Sequence, residues 1–332
     1  MSTPRRPGTS PPGPLRRHRR APTRPARGAA ILIAMVLLTV VATLAAGMVW
    51  QQWRSVQVET AERARSQTGW ILTGALDWAR LILREDARGN DSKDHDDLAE
   101  PWATPLAEAR LSSFLAADRD NTADADIDAF LGGAITDAQG RYNLRNLVGD
   151  DNKLQPEQVA MLGRLCALAG LPTSLADQIA QQWLAAWLAS DSSAPLLPKQ
   201  VDDLVWLGLD SASVARLAPL LVVLPKRTLV NLNTAPREVL AGVIPDIGLG
   251  GADRLVQARP FKTLEAAKAQ LGGATALNAR DLAVKSDFFE VQGRIRLGDH
   301  ALEERTLVER RQGPQVVPVQ RLRRALRTDT PR

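Results

Sequence analysis

The side chains best suited to chemistry are aspartates: Asp91, Asp94, Asp96 and Asp97 crowd one stretch, and Asp202 and Asp203 stand together later. Carboxylates so spaced hold hard cations, and calcium takes about six to eight oxygen ligands. Neither group alone supplies that many; an ion such as calcium at Asp91–Asp97 is still the one candidate cofactor, and a solvated acidic loop is the commoner origin of such a run. No Ser/His/Asp order, glycine-rich phosphate loop or close acid pair supports catalysis. His18, His95 and His300 lie far apart without metal-ligand spacing, and His95 and His300 read as surface residues. The single cysteine, Cys166, sits in the apolar run 165–168, which excludes an intrachain disulfide and reads as core filling. These residues predict a protein that binds or assembles and is not an enzyme.

The elements around them carry more information. The formal charge is +5, but residues 1–28 hold eight arginines and no acid. The 34 remaining basic residues face 37 acids, so the rest of the chain is at −3 and lacks the basic footprint of a nucleic-acid binder. The leader alternates proline and arginine with serine and threonine and cannot bury a core. From Ala29 to Trp50 there is no charge. Those residues as a helix reach about 33 Å, enough to span the hydrocarbon of a bilayer. Arginines massed before the span place the N-terminus in the cytoplasm and the remainder outside the inner membrane, in the periplasm.

Helical periodicity continues past the span. Trp53, Val56, Ala64, Ile71, Ala75, Trp78 and Ile82 recur at separations of 3, 4, 7 or 8, predicting one spine from Ala29 to about Arg84 with an apolar stripe. Residues 86–128 read as acidic loops around a helix near Pro105–Ala117. Asp137–Gly140 reads as the turn of a hairpin between Ala134-Ile135 and Tyr142-Asn143-Leu144. Helical patterns follow at 156–169, 174–189, 201–208 and 210–220, and three antiparallel strands at 288–297, 301–310 and 315–322 end the chain. Asn231 and Asn233 are expected to tie backbone groups in a turn, and Thr234 to cap a helix with Pro236 just inside it.

Four stretches resemble one known family. Arg27-Gly28-Ala29-Ala30-Ile31-Leu32 resembles the leader junction of pilins and pseudopilins, which implies cleavage by prepilin peptidase after Gly28 and N-methylation of Ala29. Most members carry glutamate at the fifth mature position; here it is Ile33, which resembles the K-type minor pseudopilins of type II secretion (the general secretion pathway protein K family). A carboxylate buried in lipid costs several kcal/mol unless paired, and its partner in pilins is the amine of the subunit ahead, so Ile33 suits a tip subunit. Residues 135–147, ITDAQGRYNLRNL, resemble the family's aspartate, turn glycine and Asn-Leu-x-x-Leu segment. Residues 230–240 and 285–289 are similar to its later signatures. The chain departs from the family at 187–191, where an Asp-x-Asp loop linked to calcium is expected.

The resemblance implies an α+β fold: a pilin-like long N-terminal helix packed on an antiparallel sheet, with a large inserted all-helical domain that is SAM-like or helix-hairpin-helix-like. The expected divisions are a leader at 1–28, a transmembrane helix at 29–50, the periplasmic spine at 51–85, and pilin-like loops with a β-hairpin at 86–146. An inserted helical domain follows at 147–283, in halves of about 154–225 and 228–283, then strands at 284–323 and a tail at 324–332. The expected function is a minor pseudopilin at the tip of the pseudopilus, initiating or capping assembly for export of folded proteins. Its assembly face is Trp53, Val56, Ile71 and Trp78. Expected partners are I- and J-type minor pseudopilins, the major pseudopilin, the inner-membrane assembly platform, prepilin peptidase and the inner membrane, with no nucleic acid. The alternative is a membrane-anchored helix-hairpin-helix DNA-binding receptor built on 231–264, against which Asp246 stands where such modules have glycine.

Overall fold

Backbone groups in lipid must bond within their own segment, and the uncharged stretch from Ala29 answers with a helix, α1, that runs unbroken from Arg27 to Asp86. It is the one helix among the described residues long and apolar enough to cross a membrane. The computed structural model describes residues 27–89, 94–110, 129–189, 193–271, 277–297, 300–311 and 315–327. Thr39 and Thr43 return their hydroxyls to the carbonyls of Val36 and Val40 at 2.8 and 2.9 Å, which satisfies both inside the apolar run. The chain divides after Arg63, and in the first unit every described side chain from Ala29 to Arg63 is exposed.

In the second unit one stripe of α1 is buried: Thr68, Leu72, Leu76, Ala79 and Leu83, at helical separations of 3 or 4. Each buried leucine contributes about 1.5–3 kcal/mol. The expected stripe of Ile71, Ala75, Trp78 and Ile82 lies one residue earlier at every point, about 100° around the helix. Trp78 is exposed, while Ile71, Ala75 and Ile82 only flank the contact. Close approach to the sheet favours small or branched groups, so the bulkier tryptophan is turned away. Gly293 shows how near the surfaces come, since a Cβ there would lie 3.1 Å from Leu72 Cδ2.

The sheet beneath α1 has β1 (Leu106–Arg110) and β2 (Ala129–Asp137), then β7 (Phe288–Leu297), β8 (His300–Arg311) and β9 (Gln315–Arg327), paired antiparallel in the order β1-β2-β7-β8-β9. The three expected C-terminal strands are therefore part of a larger sheet. Two expectations fail here. The helix near Pro105–Ala117 is strand β1 over its described part, because pairing of Leu106 with Gly133 and Arg110 with Phe130 overrides the helix-forming residues between them. The hairpin is absent too: Asp137 accepts from Gln139 N at 2.7 Å and makes the expected turn, but the chain then leaves the sheet. Its next strand, β3 (Tyr142–Asn143), pairs in parallel with β4 (Leu221–Val222) instead of returning along β2.

The helical block is inserted between two neighbouring strands. Asp137 ends β2 and is the register partner of Phe289 in β7, so the sheet closes across everything between. Within the insertion stand α2 (Pro156–Leu168), α3 (Ser174–Leu188), a 3-10 turn at Val201–Leu207 where a helix was expected, and α4 (Ser211–Leu217). Strand β5 (Val230–Asn231), α5 (Arg237–Val243), α6 (Gly248–Gln257) and α7 (Leu264–Gln270) follow, and β6 (Leu282–Ala283) pairs in parallel with β5. Each half of the block thus opens and closes on a two-residue parallel pair. The halves share one core, which includes Leu144, Leu165, Trp183, Leu240 and Leu255. At their seam Gly242 is required, because a Cβ there would lie 2.3 Å from Leu165 Cδ2.

Cys166 is wholly buried in that core, and burial pushes its thiol up to about 11. The thiolate is the reactive form. Ellman's reagent is therefore expected to leave Cys166 unmodified in the native protein and to titrate one thiol after denaturation; rapid native reaction would contradict this packing.

Candidate functional site

The expected processing junction falls at the start of α1. Arg27 and Gly28 are helical by backbone, while their side chains and residues 1–26 lie outside the described residues. Ala29 is exposed and Ile33 is 61% exposed, so no group among the described residues covers the position where the family's carboxylate is expected. At the end of the apolar run Trp50 and Trp53 meet with ring centroids 5.5 Å apart, a pairing suited to a membrane interface. Trp53 and Val56, two of the expected assembly residues, are exposed.

In the second unit Trp70 and Trp78 project from α1, 75% and 53% exposed. Ile71 is half-buried against the chain's own Leu131 and Ile295 cluster. Beside Trp78 opens an apolar groove of about 940 Å³, lined by Gly74 and Ala75 of α1 and by Trp102, Leu106 and Gly133 across from them. Small residues beside Trp78 on one wall and Trp102 and Leu106 on the other suit an apolar helix or side-chain cluster.

The resembling motifs converge on a buried polar latch between insertion and sheet. Asp137 Oδ2 accepts from Thr234 Oγ1 at 2.6 Å, Ser286 Oγ at 2.6 Å and Asn231 Nδ2 at 3.0 Å. Gln139 Oε1 accepts from the backbone of Asp287 and Phe288, and Gln139 Nε2 donates to Leu229 O. Asn233 clamps Phe261 through both side-chain atoms, at 2.8 and 2.9 Å. The asparagines therefore tie the chain as expected. Thr234 differs: α5 begins after Pro236, and the Thr234 hydroxyl serves Asp137 instead of a helix end.

Burial pushes the Asp137 carboxyl above its ordinary range, opposed by the donating hydroxyls of Ser286 and Thr234. A carboxyl raised on folding contributes stability that is fully present below its unfolded value and is lost as pH rises through the folded one. Asp137→Asn aims an NH₂ group at other donors and is expected to cost about 1–3 kcal/mol. It should also flatten the fall in stability from the acid end of the carboxylate range upward. Urea midpoints measured across pH check both, and an unchanged slope would remove Asp137 from the latch.

Among the described residues the expected acidic candidates stand apart from one another. Asp91 lies outside the described residues, and Asp94 and Asp202 are exposed. Asp97 accepts from Ala99 N at 2.7 Å and meets His95 Nε2 at 3.3 Å; His95 is buried, not on the surface as expected. Asp203 is occupied at the head of the 3-10 turn, accepting from the backbone of Lys199 and Gln200. Carboxylate oxygens of Asp86, Asp96 and Glu100 come within 4.8 Å of one another, but a cation of the chain is already there. Arg310 donates to Asp96 at 2.6 and 2.5 Å and to Asp86 at 3.1 Å. Asp86 and Asp96 thus hold a guanidinium, while Glu100 accepts from Asp97 N and Trp102 Nε1. Sequence reasoning missed Arg310 and Asp86 in this role.

A helix, turn and helix do stand at 237–257, with Asp246 at a positive φ of 59° in the turn. Its carboxylate acts electrostatically on Arg164, which donates to Gly242 O at 2.7 Å. The motif therefore serves the seam between the two halves.

Two family models, each described as type II secretion system protein K, match residues 140–226 and 230–285. Their bounds follow the two halves closed by the β3–β4 and β5–β6 pairs. The chain is similar to the type II secretion system protein K of Pseudomonas aeruginosa, 26% identical over 82% of this chain and 85% of that protein. It is 27% identical to the Klebsiella pneumoniae protein of the same description, over 86% and 92% of the two chains. Among solved structures, a chain in the crystal structure of the GspK–GspI–GspJ complex of the enterotoxigenic Escherichia coli type 2 secretion system shares the fold. The TM-score is 0.60 at 19% identity, covering 79% of this chain and 98% of that one. With one spine on an antiparallel sheet, a two-part helical insertion and both halves matched in order, the chain is similar over most of its length to the type II secretion system protein K family.

Proposed function

We propose that this chain is the tip subunit of the type II secretion pseudopilus, initiating its assembly and preventing addition ahead of it. The carrying observation is Ile33, an uncovered apolar side chain in the spanning helix where a follower subunit would need a carboxylate for the amine ahead. The large insertion between β2 and β7 supports a capping role, since it adds bulk to a pilin-like sheet without breaking strand pairing. In this reading prepilin peptidase cuts after Gly28, Ala29 is methylated, and the span anchors the chain in the inner membrane with the sheet and insertion in the periplasm. The crystal complex containing GspI and GspJ is the ground for proposing I- and J-type minor pseudopilins as partners.

The groove beside Trp78 is the proposed seat of one partner helix. Co-purification of the full chain with I- and J-type subunits is expected to yield a stable complex. Trp78→Ala is expected to weaken it by about 2 kcal/mol, roughly thirtyfold, as removal of a central aromatic anchor does. Because Trp78 is exposed, its loss should leave the unfolding midpoint unchanged. No complex with the unaltered chain would sink the proposal.

A further inference from the structure

Residues 225–229 carry the chain from one half of the helical block to the other, and beside them opens a pocket of about 480 Å³. Arg145, Asn146, Asp150, Gln158, Arg227 and Arg280 contribute to its lining. Its neutral polar groups are already committed. Asn146 bonds both ways with the backbone of Thr228, at 2.8 and 3.1 Å. Gln158 accepts from Tyr142 Oη at 3.0 Å and donates to Asp281 at 2.7 Å. Lys226, also at the rim, directs its ammonium to Glu309 at 2.9 Å and Asp287 at 3.6 Å.

The guanidiniums are not balanced in this way. Arg145 lies 3.9 Å from the centre of the Trp187 ring and donates to Val148 O at 2.6 Å. Its Nε is shut away from water and has no hydrogen-bond partner. Among the described residues Arg227 forms an ion pair with Asp150 alone, 3.9 Å away and 91% exposed, and acts electrostatically on the buried Asp281. Among the described residues no acid forms an ion pair with Arg280. Three guanidiniums against Asp150 and Asp281 leave about one positive charge over. Burial, then the neighbouring Arg227, loosens the hold of Arg145 on its proton, as crowded like charges do.

We propose that this pocket binds the phosphate group of a phosphate monoester, a role separate from subunit assembly. A phosphate monoester carries about −1.5 to −2 at neutral pH and presents three acceptor oxygens to the three guanidiniums, where a carboxylate presents two. Guanidinium forks match that geometry with paired charge-assisted hydrogen bonds. The same chemistry comes from a free monoester or from a lipid headgroup.

The test uses the full chain in a neutral detergent at constant ionic strength, titrated calorimetrically with inorganic phosphate and, separately, with phosphatidic acid in mixed micelles. Saturable one-to-one binding is expected, weakened about tenfold by Arg227→Ala and by Arg280→Ala. Both side chains are exposed, so unfolding midpoints should stay unchanged. Phosphatidic acid binding about tenfold tighter than inorganic phosphate, and lost in the same variants, assigns a headgroup; comparable binding assigns a soluble monoester. Absence of saturable binding by either probe, or undiminished binding in the double variant, overturns the proposal.

Discussion

Arg310→Met is expected to lower the unfolding free energy by about 3–5 kcal/mol, the usual cost of breaking a buried ion pair from one side. The guanidinium is almost wholly buried between Asp96 and Asp86, donates to Ser286 O at 2.7 Å and lies 4.9 Å from the centre of the Phe289 ring. Burial works against its charge, yet the Asp96 and Asp86 carboxylates outweigh it and hold its proton more firmly than usual. Removing it leaves Asp96, which has no exposed surface, accepting from Ser286 N without a counter-charge. Asp96→Asn added to Arg310→Met should recover part of the loss, because one uncompensated charge disappears; this coupling is what contacting residues show. Urea denaturation of the detergent-solubilised chain, followed by tryptophan fluorescence, measures both. A loss under about 1 kcal/mol would mean that the cluster does not join α1 to β8 as described.

Gly28→Asp is expected to abolish processing outright. The variant should keep its 28-residue leader, retain Met1 or Ser2 as its first residue and lack N-methylation, as mass spectrometry of the membrane fraction would report. The reason is steric and electrostatic: a peptidase site that accepts glycine beside Arg27 has no room for a carboxylate side chain. Secretion should fall with it, because the leader would keep eight arginines fixed to the start of α1. Positive charge so placed cannot enter the bilayer at modest cost, so the subunit could not be drawn into a fibre. Normal cleavage of the variant would relocate the junction and remove the argument that numbers Ile33 as the fifth mature residue.

Much was legible in the residues because it depends on short spacing. The span, the unbroken spine, Cys166 as core filling and the β7–β9 strands all follow from runs or periods within one element. Reading the helix stripe one residue early at Ile71, Ala75, Trp78 and Ile82 shows where that method ends. Large apolar side chains mark a helix as amphipathic, but which of two adjacent rows is covered depends on the surface offered, here a sheet with Gly293 at the contact. Arg310 had a signal in the inward alternation of Glu304, Thr306, Val308 and Arg310, where a charge in a buried row demands a partner. The identity of that partner, more than two hundred residues away, was not encoded in any local pattern.

By itself the sequence determined an arginine-rich, acid-free stretch at 1–28, an uncharged run at 29–50 long enough for a bilayer, and a helix that continues beyond it, since these are properties of consecutive residues. Only the tertiary structure decided that the turn at 137–140 opens an insertion instead of closing a hairpin, and that the motifs at 137–147, 231–236 and 286–289 form one latch. It also placed Asp86 and Asp96 against the guanidinium of Arg310. The reason is that strand pairing and buried charge are settled by which distant segments meet, and a hydrogen bond or counter-charge has the same effect whatever the length of chain that joins its ends.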